Sequence, residues 1–295
     1  MNKLFILPLR FVIRLVSFMP FRLIYILSDV LFVCLFYILH YRRKVVRQNL
    51  ANAFPEKTAQ EQKVIARLFY KNLCDILLES IKGFSLSEAS IRERYVYENP
   101  ELIDRALEEG RSVLLIGSHL TNWEWGVLSV SLWLKHPVVG IYKPLKQPAV
   151  NDYLKRLRQR WKLSLVSMEK IGPYLLRQRQ SPTTYVFFSD QTPSNTRSAH
   201  WLEFFHQQTP FLPGVGKLAC RTDYPVYLFD IRRQARGYYR VRFELLENQA
   251  AQKTPEDITK RYAERLEARI KAQPEDWLWS HKRWKHSRAS VDHPQ

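Results

Sequence analysis

One short segment constrains the fold of this chain more than any other: the apolar run 113–116 (Val-Leu-Leu-Ile), which ends in Gly117-Ser118. Such an uninterrupted run is typical of a strand that is covered on both faces, as in a parallel sheet flanked by helices. Because Gly117 and Ser118 break the strand, His119 is placed at its carboxyl end. Ligands of open α/β sheets bind at that edge, so we expect His119 to border a ligand crevice.

His119 and Glu124 form a His-x4-Glu motif directly after this strand. Thr121 or Asn122 is suited to cap a helix that carries Glu124 in its first turn, and a histidine in the preceding turn can lean back onto that helix start. An imidazole titrates near neutrality and an adjacent carboxylate fixes its tautomer, so the pair suits proton removal from an alcohol. We therefore predict that both residues are catalytic. The alternative is a capping histidine near a surface glutamate.

Strand and helix patterns alternate along much of the rest of the chain. The predicted strands are 137–142, 164–167, 184–188, 224–229 and 238–245, and the predicted helices are 63–84, 100–109, 151–161, 171–179, 254–271 and 275–284. This alternation favours one α/β domain at 51–286, built on a mostly parallel sheet flanked by helices. A polar tail follows at 287–295.

Polar side chains follow three of the predicted strands: His119, Lys143, and Asp190 with Gln191. Because the carboxyl ends of parallel strands meet at one edge of a sheet, we expect these residues to face one crevice, although a simple turn explains each of them separately.

A strongly basic helix ends at Arg158-Gln159-Arg160. It forms either a solvated face or an anion clamp, for a lipid phosphate or for the oxyanion that develops on an acyl carbonyl.

The indole-rich segment 274–284 suits a membrane interface and a core-closing helix equally.

The N-terminal segment 1–50 is a predicted membrane anchor with a basic flank. Between residues 23 and 39 the only charged residue is Asp29, and the basic residues of 40–44 follow. At about 1.5 Å per residue this run barely spans a hydrocarbon core of roughly 30 Å, so spanning the bilayer and lying in its interface both remain open. Arg10, Arg14 and Arg22 precede it in a pattern typical of an interfacial amphipathic helix. A buried core helix is the alternative.

The chain carries 46 Lys and Arg against 28 Asp and Glu, a formal charge of +18, which calls for an acidic partner. Anionic phospholipid, an acidic carrier protein and nucleic acid all qualify. Since the sequence has no recognised nucleic-acid motif and its basic residues are spread out, we expect no nucleic-acid partner.

Cys34, Cys74 and Cys220 are scattered without paired spacing, which argues against a zinc site or a disulfide framework and favours a reduced compartment.

In their order along the chain, these motifs resemble the bacterial lipid A biosynthesis (lauroyl/myristoyl) acyltransferases, within the lysophospholipid acyltransferase superfamily. The matching motifs are Tyr41-Arg42-Arg43-Lys44-Val45-Val46-Arg47-Gln48-Asn49-Leu50 with Ala53-Phe54-Pro55, the His119 and Glu124 box, Tyr142-Lys143-Pro144, Arg158-Gln159-Arg160, Asp190-Gln191, Phe204-Phe205 with Thr209-Pro210, and Pro274-Glu275-x-Trp277-x-Trp279-x-His281-x-Arg283. The resemblance implies a glycerolipid acyltransferase-like fold. It also implies transfer of a fatty acyl group from acyl carrier protein, or sometimes coenzyme A, to a hydroxyl of a membrane glycolipid at the inner face of the cytoplasmic membrane.

The resemblance also assigns roles to residues. His119 becomes the general base and Glu124 the carboxylate that orients it. Arg158 is the cation near the reacting carbonyl or a substrate phosphate, with Arg160 as the alternate. Asp190 and Gln191 line the pocket, and no metal or cofactor is needed because a thioester is already activated.

Two positions depart from the family pattern. Lys143 stands where arginine is frequent, and His206 stands where glycine is frequent. Lysine keeps the charge but loses the planar fork of arginine, so the identity of the acceptor stays open. A phospholipid or an amino-acid lipid is the alternative acceptor, and a non-enzymatic, membrane-tethered basic protein that binds nucleic acid is the remote alternative.

Overall fold

The computed structural model describes residues 6–177 and 181–286, together with Arg288. Apart from Arg288, the predicted polar tail 287–295 lies outside the described residues, as do Gln178 and Arg179 at the end of the predicted helix 171–179.

The α-helices are α1 (Ile6–Phe18), α2 (Phe21–Val33), α3 (Arg43–Ala53), α4 (Ala59–Gly83), α5 (Glu88–Arg94), α6 (Glu101–Glu108), α7 (Trp123–Trp133), α8 (Pro148–Arg158), α9 (Ile171–Arg177), α10 (Gly214–Thr222) and α11 (Pro255–Ala272). The strands are β1 (Tyr95–Tyr97), β2 (Val113–Gly117), β3 (Val138–Tyr142), β4 (Ser164–Ser167), β5 (Thr184–Phe188), β6 (His200–Phe204), β7 (Gln207–Phe211), β8 (Val226–Ala235) and β9 (Tyr238–Glu247).

Seven strands form the main sheet in the order β1-β9-β8-β2-β5-β3-β4. All neighbouring strands run parallel except β8 and β9, which form an antiparallel pair. This arrangement confirms the predicted α/β fold with a mostly parallel sheet. Since β2, β5 and β3 are parallel neighbours, their carboxyl ends lie at one edge of the sheet.

The central strand β2 is covered on both faces, as its apolar run predicts. Leu114 and Ile116 belong to one hydrophobic core, and Val113 and Leu115 belong to a second core on the other face. All four side chains are at most 3% exposed. The alternation of side chains along a strand therefore buries every residue of the run, which holds the following turn in place.

The C-terminal segment differs from its predicted conformation. The helix predicted at 275–284 is wrong: a short 3-10 turn at Pro274–Asp276 leads into non-helical backbone that enters the core. Its backbone groups bond to distant residues, since Leu120 bridges to Trp277 and the Asn49 amide donates to the carbonyls of Trp279 and His281. These bonds replace the internal hydrogen bonds of a helix. Strands β1, β6 and β7 and helices α3, α5 and α10 were not predicted either.

The N-terminal hydrophobic segment is helical, as predicted. Helix α2 continues through one π-helical turn, Cys34–Ile38, so that Phe21–Ile38 forms a continuous helix that is long and apolar enough to cross a membrane. One side of it packs against α4, where Ile24, Phe32 and Phe36 are buried.

A fully buried carboxylate on α4, Glu79, joins three parts of the structure. Tyr25 from α2 donates to Oε1 at 3.0 Å, and Asn122 and Tyr239 donate to Oε2 at 2.9 and 2.5 Å. Burial raises the pKa of Glu79, although the bonds from Tyr239 and Asn122 oppose the rise. Because Asn122 precedes α7, this carboxylate ties the N-terminal helices to the start of the helix that carries Glu124.

We expect Glu79→Ala to lower the free energy of unfolding by about 2–3 kcal/mol, because it leaves several buried donors without an acceptor. Urea unfolding followed by tryptophan fluorescence measures the change. The matched control is Glu93→Ala, which removes an exposed carboxylate from α5 and is expected to change stability by less than about 0.5 kcal/mol. Equal effects of the two substitutions would show that the buried hydrogen bonds of Glu79 contribute no stability.

Candidate active site

The turn between β2 and α7 positions the candidate catalytic histidine. Asn122 caps α7, because its side chain accepts a hydrogen bond from the Trp125 amide at 3.1 Å, which confirms one of the two predicted caps. Thr121 adopts a left-handed backbone conformation, with φ of 47°, and its amide donates to the Asp276 carbonyl at 2.9 Å. The hydroxyl of Tyr262 on α11 donates to the Gly117 carbonyl. The turn is thus fixed from three sides.

His119 is paired with Asp190, which follows β5. The Nδ1 atom of His119 lies 2.6 Å from Oδ1 of Asp190, and the backbone amide of His119 donates to Oδ2 at 3.0 Å. The indole of Trp277 also donates to Oδ2 at 3.0 Å. The Asp190 side chain is 2% exposed and that of His119 is 17% exposed. An ionised carboxylate on Nδ1 favours the tautomer in which Nε2 carries the free lone pair.

The two partners shift the pKa values of each other. Burial disfavours the imidazolium and is the strongest single influence, but the charge and hydrogen bond of Asp190, with a smaller contribution from Glu124, outweigh it and raise the pKa of His119 above 6.5. Burial by itself would raise the pKa of Asp190, but His119 and Trp277 together hold that pKa below its usual range. A basic imidazole beside an ionised carboxylate is suited to accept a proton.

Glu124 contacts a different residue from the predicted one. Its two carboxylate oxygens accept hydrogen bonds from Nη2 and Nε of Arg158, at 2.7 and 3.1 Å. The His119 ring is hydrogen-bonded to Asp190 instead, so the prediction that Glu124 orients this ring is wrong. The physical reason is one of direction. The Nδ1 atom of His119 points toward the carboxyl end of the neighbouring strand β5, whereas the Glu124 side chain points toward the last residue of α8.

His119, Glu124 and Arg158 line a cavity of about 560 Å³ at the carboxyl edge of the sheet. Its walls are largely apolar and come from α7, α9, α10 and strands β3 to β5; they include Val127, Val130, Leu163, Leu165, Ile171, Leu175, Val186, Phe188, Val215 and Leu218. Polar and charged groups face the same space, including Lys143, Gln191, Ser194, Lys217 and Arg221. The cavity therefore suits an apolar chain with a polar end held near His119.

The other predicted site residues fall into two groups. Lys143 and Gln191 line the cavity, and Nζ of Lys143 donates to the Ser194 hydroxyl at 2.9 Å. Arg160 does not line it: its guanidinium donates to the Phe84 carbonyl at 2.6 Å and stacks on Trp161, because the 3-10 turn Gln159–Trp161 redirects the chain after α8. The prediction that Arg160 is the alternate cation near the reacting carbonyl is therefore wrong in this structure. Asp190 was predicted to line the pocket, but it is the hydrogen-bond partner of His119 and is not part of the cavity wall.

The roles of Trp277 and His281 were missed, although the closing motif contains both. His281 lies near the pair and accepts a hydrogen bond from the Thr192 amide at 3.2 Å. Burial lowers the pKa of His281 to about 4, although Asp190 opposes the change, so this imidazole is neutral near pH 7. It holds the loop that carries Gln191 and Ser194 along the cavity. Within residues 6–177 and 181–286, His, Cys, Asp and Glu side chains form no cluster of three that could hold a metal ion.

Comparison with known proteins agrees with the resemblance in the sequence. The family model for bacterial lipid A biosynthesis acyltransferases matches residues 6–286. A lipid A biosynthesis acyltransferase of Haemophilus influenzae is 22% identical over 272 residues, covering 91% of this chain and 84% of that protein. The lipid A biosynthesis palmitoleoyltransferase of Escherichia coli K12 is 22% identical over 258 residues, covering 83% of this chain and 79% of that protein. Because the family match spans nearly the whole chain, the protein belongs to the bacterial lipid A biosynthesis acyltransferase family and is an O-acyltransferase.

Proposed function

We propose that this enzyme transfers a fatty acyl chain from a thioester of acyl carrier protein, or of coenzyme A, to a hydroxyl of a lipid A precursor. The observation that carries the proposal is the His119 and Asp190 pair at the wall of an apolar cavity. The pair supplies a base for the hydroxyl, and the cavity supplies space for the acyl chain. The names of the relatives from Haemophilus influenzae and Escherichia coli support lipid A chemistry.

In the proposed mechanism Nε2 of His119 accepts the proton of the acceptor hydroxyl as its oxygen attacks the thioester carbonyl. The C–O bond forms while the π electrons of the thioester carbonyl move to the carbonyl oxygen, which becomes an oxyanion. When this intermediate collapses, the C–S bond breaks and the leaving thiolate takes the proton from the imidazolium. Asp190 stabilises the imidazolium throughout. Protons and electrons balance without a cofactor.

The Glu124 and Arg158 pair provides a fixed cation beside the same cavity. Both hydrogen bonds between them are charge-assisted, and such a bidentate contact holds the guanidinium plane in one orientation. Arg158 in this position stabilises the oxyanion or binds a phosphate of a substrate. Glu124 then acts on catalysis through Arg158 and through its effect on the pKa of His119.

The charge of the chain supports the donor and the location. An acidic carrier protein and an anionic lipid surface are both attracted by a net charge of +18, and Lys143, Lys217 and Arg221 border the cavity. We place the enzyme at the cytoplasmic face of the inner membrane, with its N-terminal helices on the lipid and the catalytic domain in the cytoplasm.

The mechanism predicts an acidic limb in the pH profile of kcat/KM. Only neutral His119 accepts a proton, so activity falls as the pH drops through its pKa. Because Asp190 and Glu124 raise that pKa, we expect the midpoint of the limb above pH 6.5. The measurement is acyl transfer from acyl carrier protein between about pH 5.5 and 9, corrected for spontaneous thioester hydrolysis. A midpoint below 6.5 contradicts the assigned base.

Mass spectrometry of lipid A and of total polar lipids tests the function directly. A strain that lacks the gene is complemented with the wild type or with His119→Ala at equal protein levels. We expect lipid A of the deletion strain to lose one acyl chain and only the wild type to restore it. Loss of an acyl chain from a phospholipid or an amino-acid lipid, with lipid A unchanged, would instead assign the acceptor to that class.

A further inference from the structure

The two N-terminal helices present an apolar surface to the outside of the molecule. Its centre is formed by exposed side chains of α1 and α2, namely Phe11, Leu15, Phe18, Ile26, Val30 and Val33, which are 46–78% exposed. We call these six residues the anchor face. Arg10, Arg14 and Arg22 are exposed on the same two helices. An apolar face bordered by cations is typical of a helix that lies in a membrane interface.

The opposite side of α2 makes polar contacts with the catalytic domain. The Ser28 hydroxyl donates to Oδ1 of Asp75 at 2.6 Å, and the Tyr25 hydroxyl donates to Glu79. Arg236, from the turn after β8, bridges Asp29 and Asp75 with contacts of 2.7 Å to each. Asp75 and Glu79 are buried beneath α2. Residues 25–29 of α2 are therefore bonded to charged groups of the catalytic domain.

These contacts are incompatible with a helix that crosses the bilayer alone. If α2 left α4, two buried carboxylates would lose partners from α2. If α4 entered the hydrocarbon together with α2, its exposed Lys63, Arg67 and Lys71 would be carried into the bilayer. Both arrangements are costly. A helix that lies flat meets lipid with one side and keeps its polar contacts with the other.

We propose that Phe21–Ile38 lies in the plane of the membrane, and that the anchor face docks on an anionic lipid bilayer without crossing it. This inference rests on the proposed function only in placing the enzyme at a membrane. The bordering arginines and the net charge of +18 match anionic headgroups, whereas a second copy would bring like charges together. The guanidinium of Arg10 on α1 lies over the Tyr153 ring of α8 at 6.0 Å. Since α8 also carries Arg158, the docked face adjoins the cavity that a lipid acceptor must reach.

Depth measurements on the full chain in vesicles test the orientation. Spin labels are attached one at a time to cysteines introduced at Leu23, Ile26, Val30, Val33 and Tyr37, after replacement of the three native cysteines. The vesicles contain phosphatidylglycerol and phosphatidylcholine, and power saturation gives the depth of each label. For a flat helix we expect similar, shallow depths at all five positions. A spanning helix would put Val30 about 10 Å deeper than Leu23 and Tyr37, since the two end positions lie about 21 Å apart along the axis, and this result would overturn the proposal.

A charge substitution tests the anchor face itself. We expect Ile26→Glu with Val30→Glu to reduce partitioning into these vesicles about ten-fold. The control adds the same two charges at exposed helical positions elsewhere, Gln60→Glu with Ala89→Glu, and is expected to change partitioning less than about two-fold. Equal partitioning of the two variants overturns the proposal. So does lipid-free dimerisation that only Ile26→Glu with Val30→Glu abolishes, because a second copy would then cover this face. Both measurements use no substrate, so they succeed or fail independently of the acceptor.

Discussion

Replacing His119 by alanine is expected to lower kcat for acyl transfer about 10²–10⁴-fold, with a much smaller change in KM. In the proposed mechanism the substitution removes the group that accepts the hydroxyl proton, while the apolar walls of the cavity stay in place. Transfer of a labelled acyl group from acyl carrier protein to a lipid A precursor in detergent micelles measures both constants. Retention of more than about a tenth of wild-type kcat would mean that His119 is structural and that the acyl-transfer mechanism uses another base.

The control for this substitution is His136→Ala. His136 lies in the loop before β3, at the opposite end of that strand from the site, so its loss should leave kcat within about two-fold of the wild type. Thermal unfolding of all three proteins separates loss of the base from loss of the fold. His119→Gln provides a second comparison, since it keeps a polar side chain in the turn but cannot accept the proton at neutral pH.

The parts of the fold that follow from local pattern were predictable. The run 113–116 is apolar at every position because both faces of β2 are covered, and Gly117 ends it where the sheet ends. The polar residues after β2, β3 and β5 converge because these strands are parallel neighbours, a property that alternation of strands and helices already indicates. Asn122 caps α7 through its own side chain, which is a short-range interaction. The buried strand, its end and the helix cap depend on residues close together in sequence, and the shared edge follows from the alternation of strands and helices.

The β6–β7 hairpin lacks the usual local signal. Phe205 and His206 form its turn with φ of 51° and 60°, although tight hairpin turns of this kind normally use Asn-Gly or Asp-Gly. Tertiary contacts stabilise the turn instead. Phe205 is fully buried, and its amide donates to the carboxylate of Glu267 on α11 at 2.8 Å. Nothing in the residues from 200 to 211 reveals that distant acceptor, so the hairpin could not be predicted from its own sequence.

The partner of His119 was missed for the same reason. Glu124 is five residues from His119 and is the carboxylate of a local motif. Asp190 is 71 residues from His119 and lies after the adjacent strand β5. The sequence placed Asp190 correctly at the shared edge but could not say which side chain its oxygens meet. Geometry within a turn decides that, because the His119 amide and ring both point toward Asp190.

Asp190→Asn is expected to lower kcat about 10³–10⁴-fold, a loss comparable to that of His119→Ala, because it forces the wrong tautomer. In the wild type Oδ2 accepts from two donors, the His119 amide and the Trp277 indole. An asparagine satisfies both only by placing its oxygen there, which turns its NH2 group toward Nδ1 of His119. Nδ1 must then accept a hydrogen bond, so the proton moves to Nε2 and the base is blocked.

The comparison with Glu124→Gln distinguishes the two candidate partners of His119. Glutamine keeps an oxygen for Arg158, so we expect only about a ten-fold loss of kcat. Loss of the Asp190 charge should also move the acidic limb of the residual activity to lower pH, because burial then lowers the pKa of His119 with less opposition. Glu124→Gln should move the limb less. A larger shift and a larger loss for Glu124→Gln would return the orienting role to Glu124, and Asp190 would then be a structural residue of the turn.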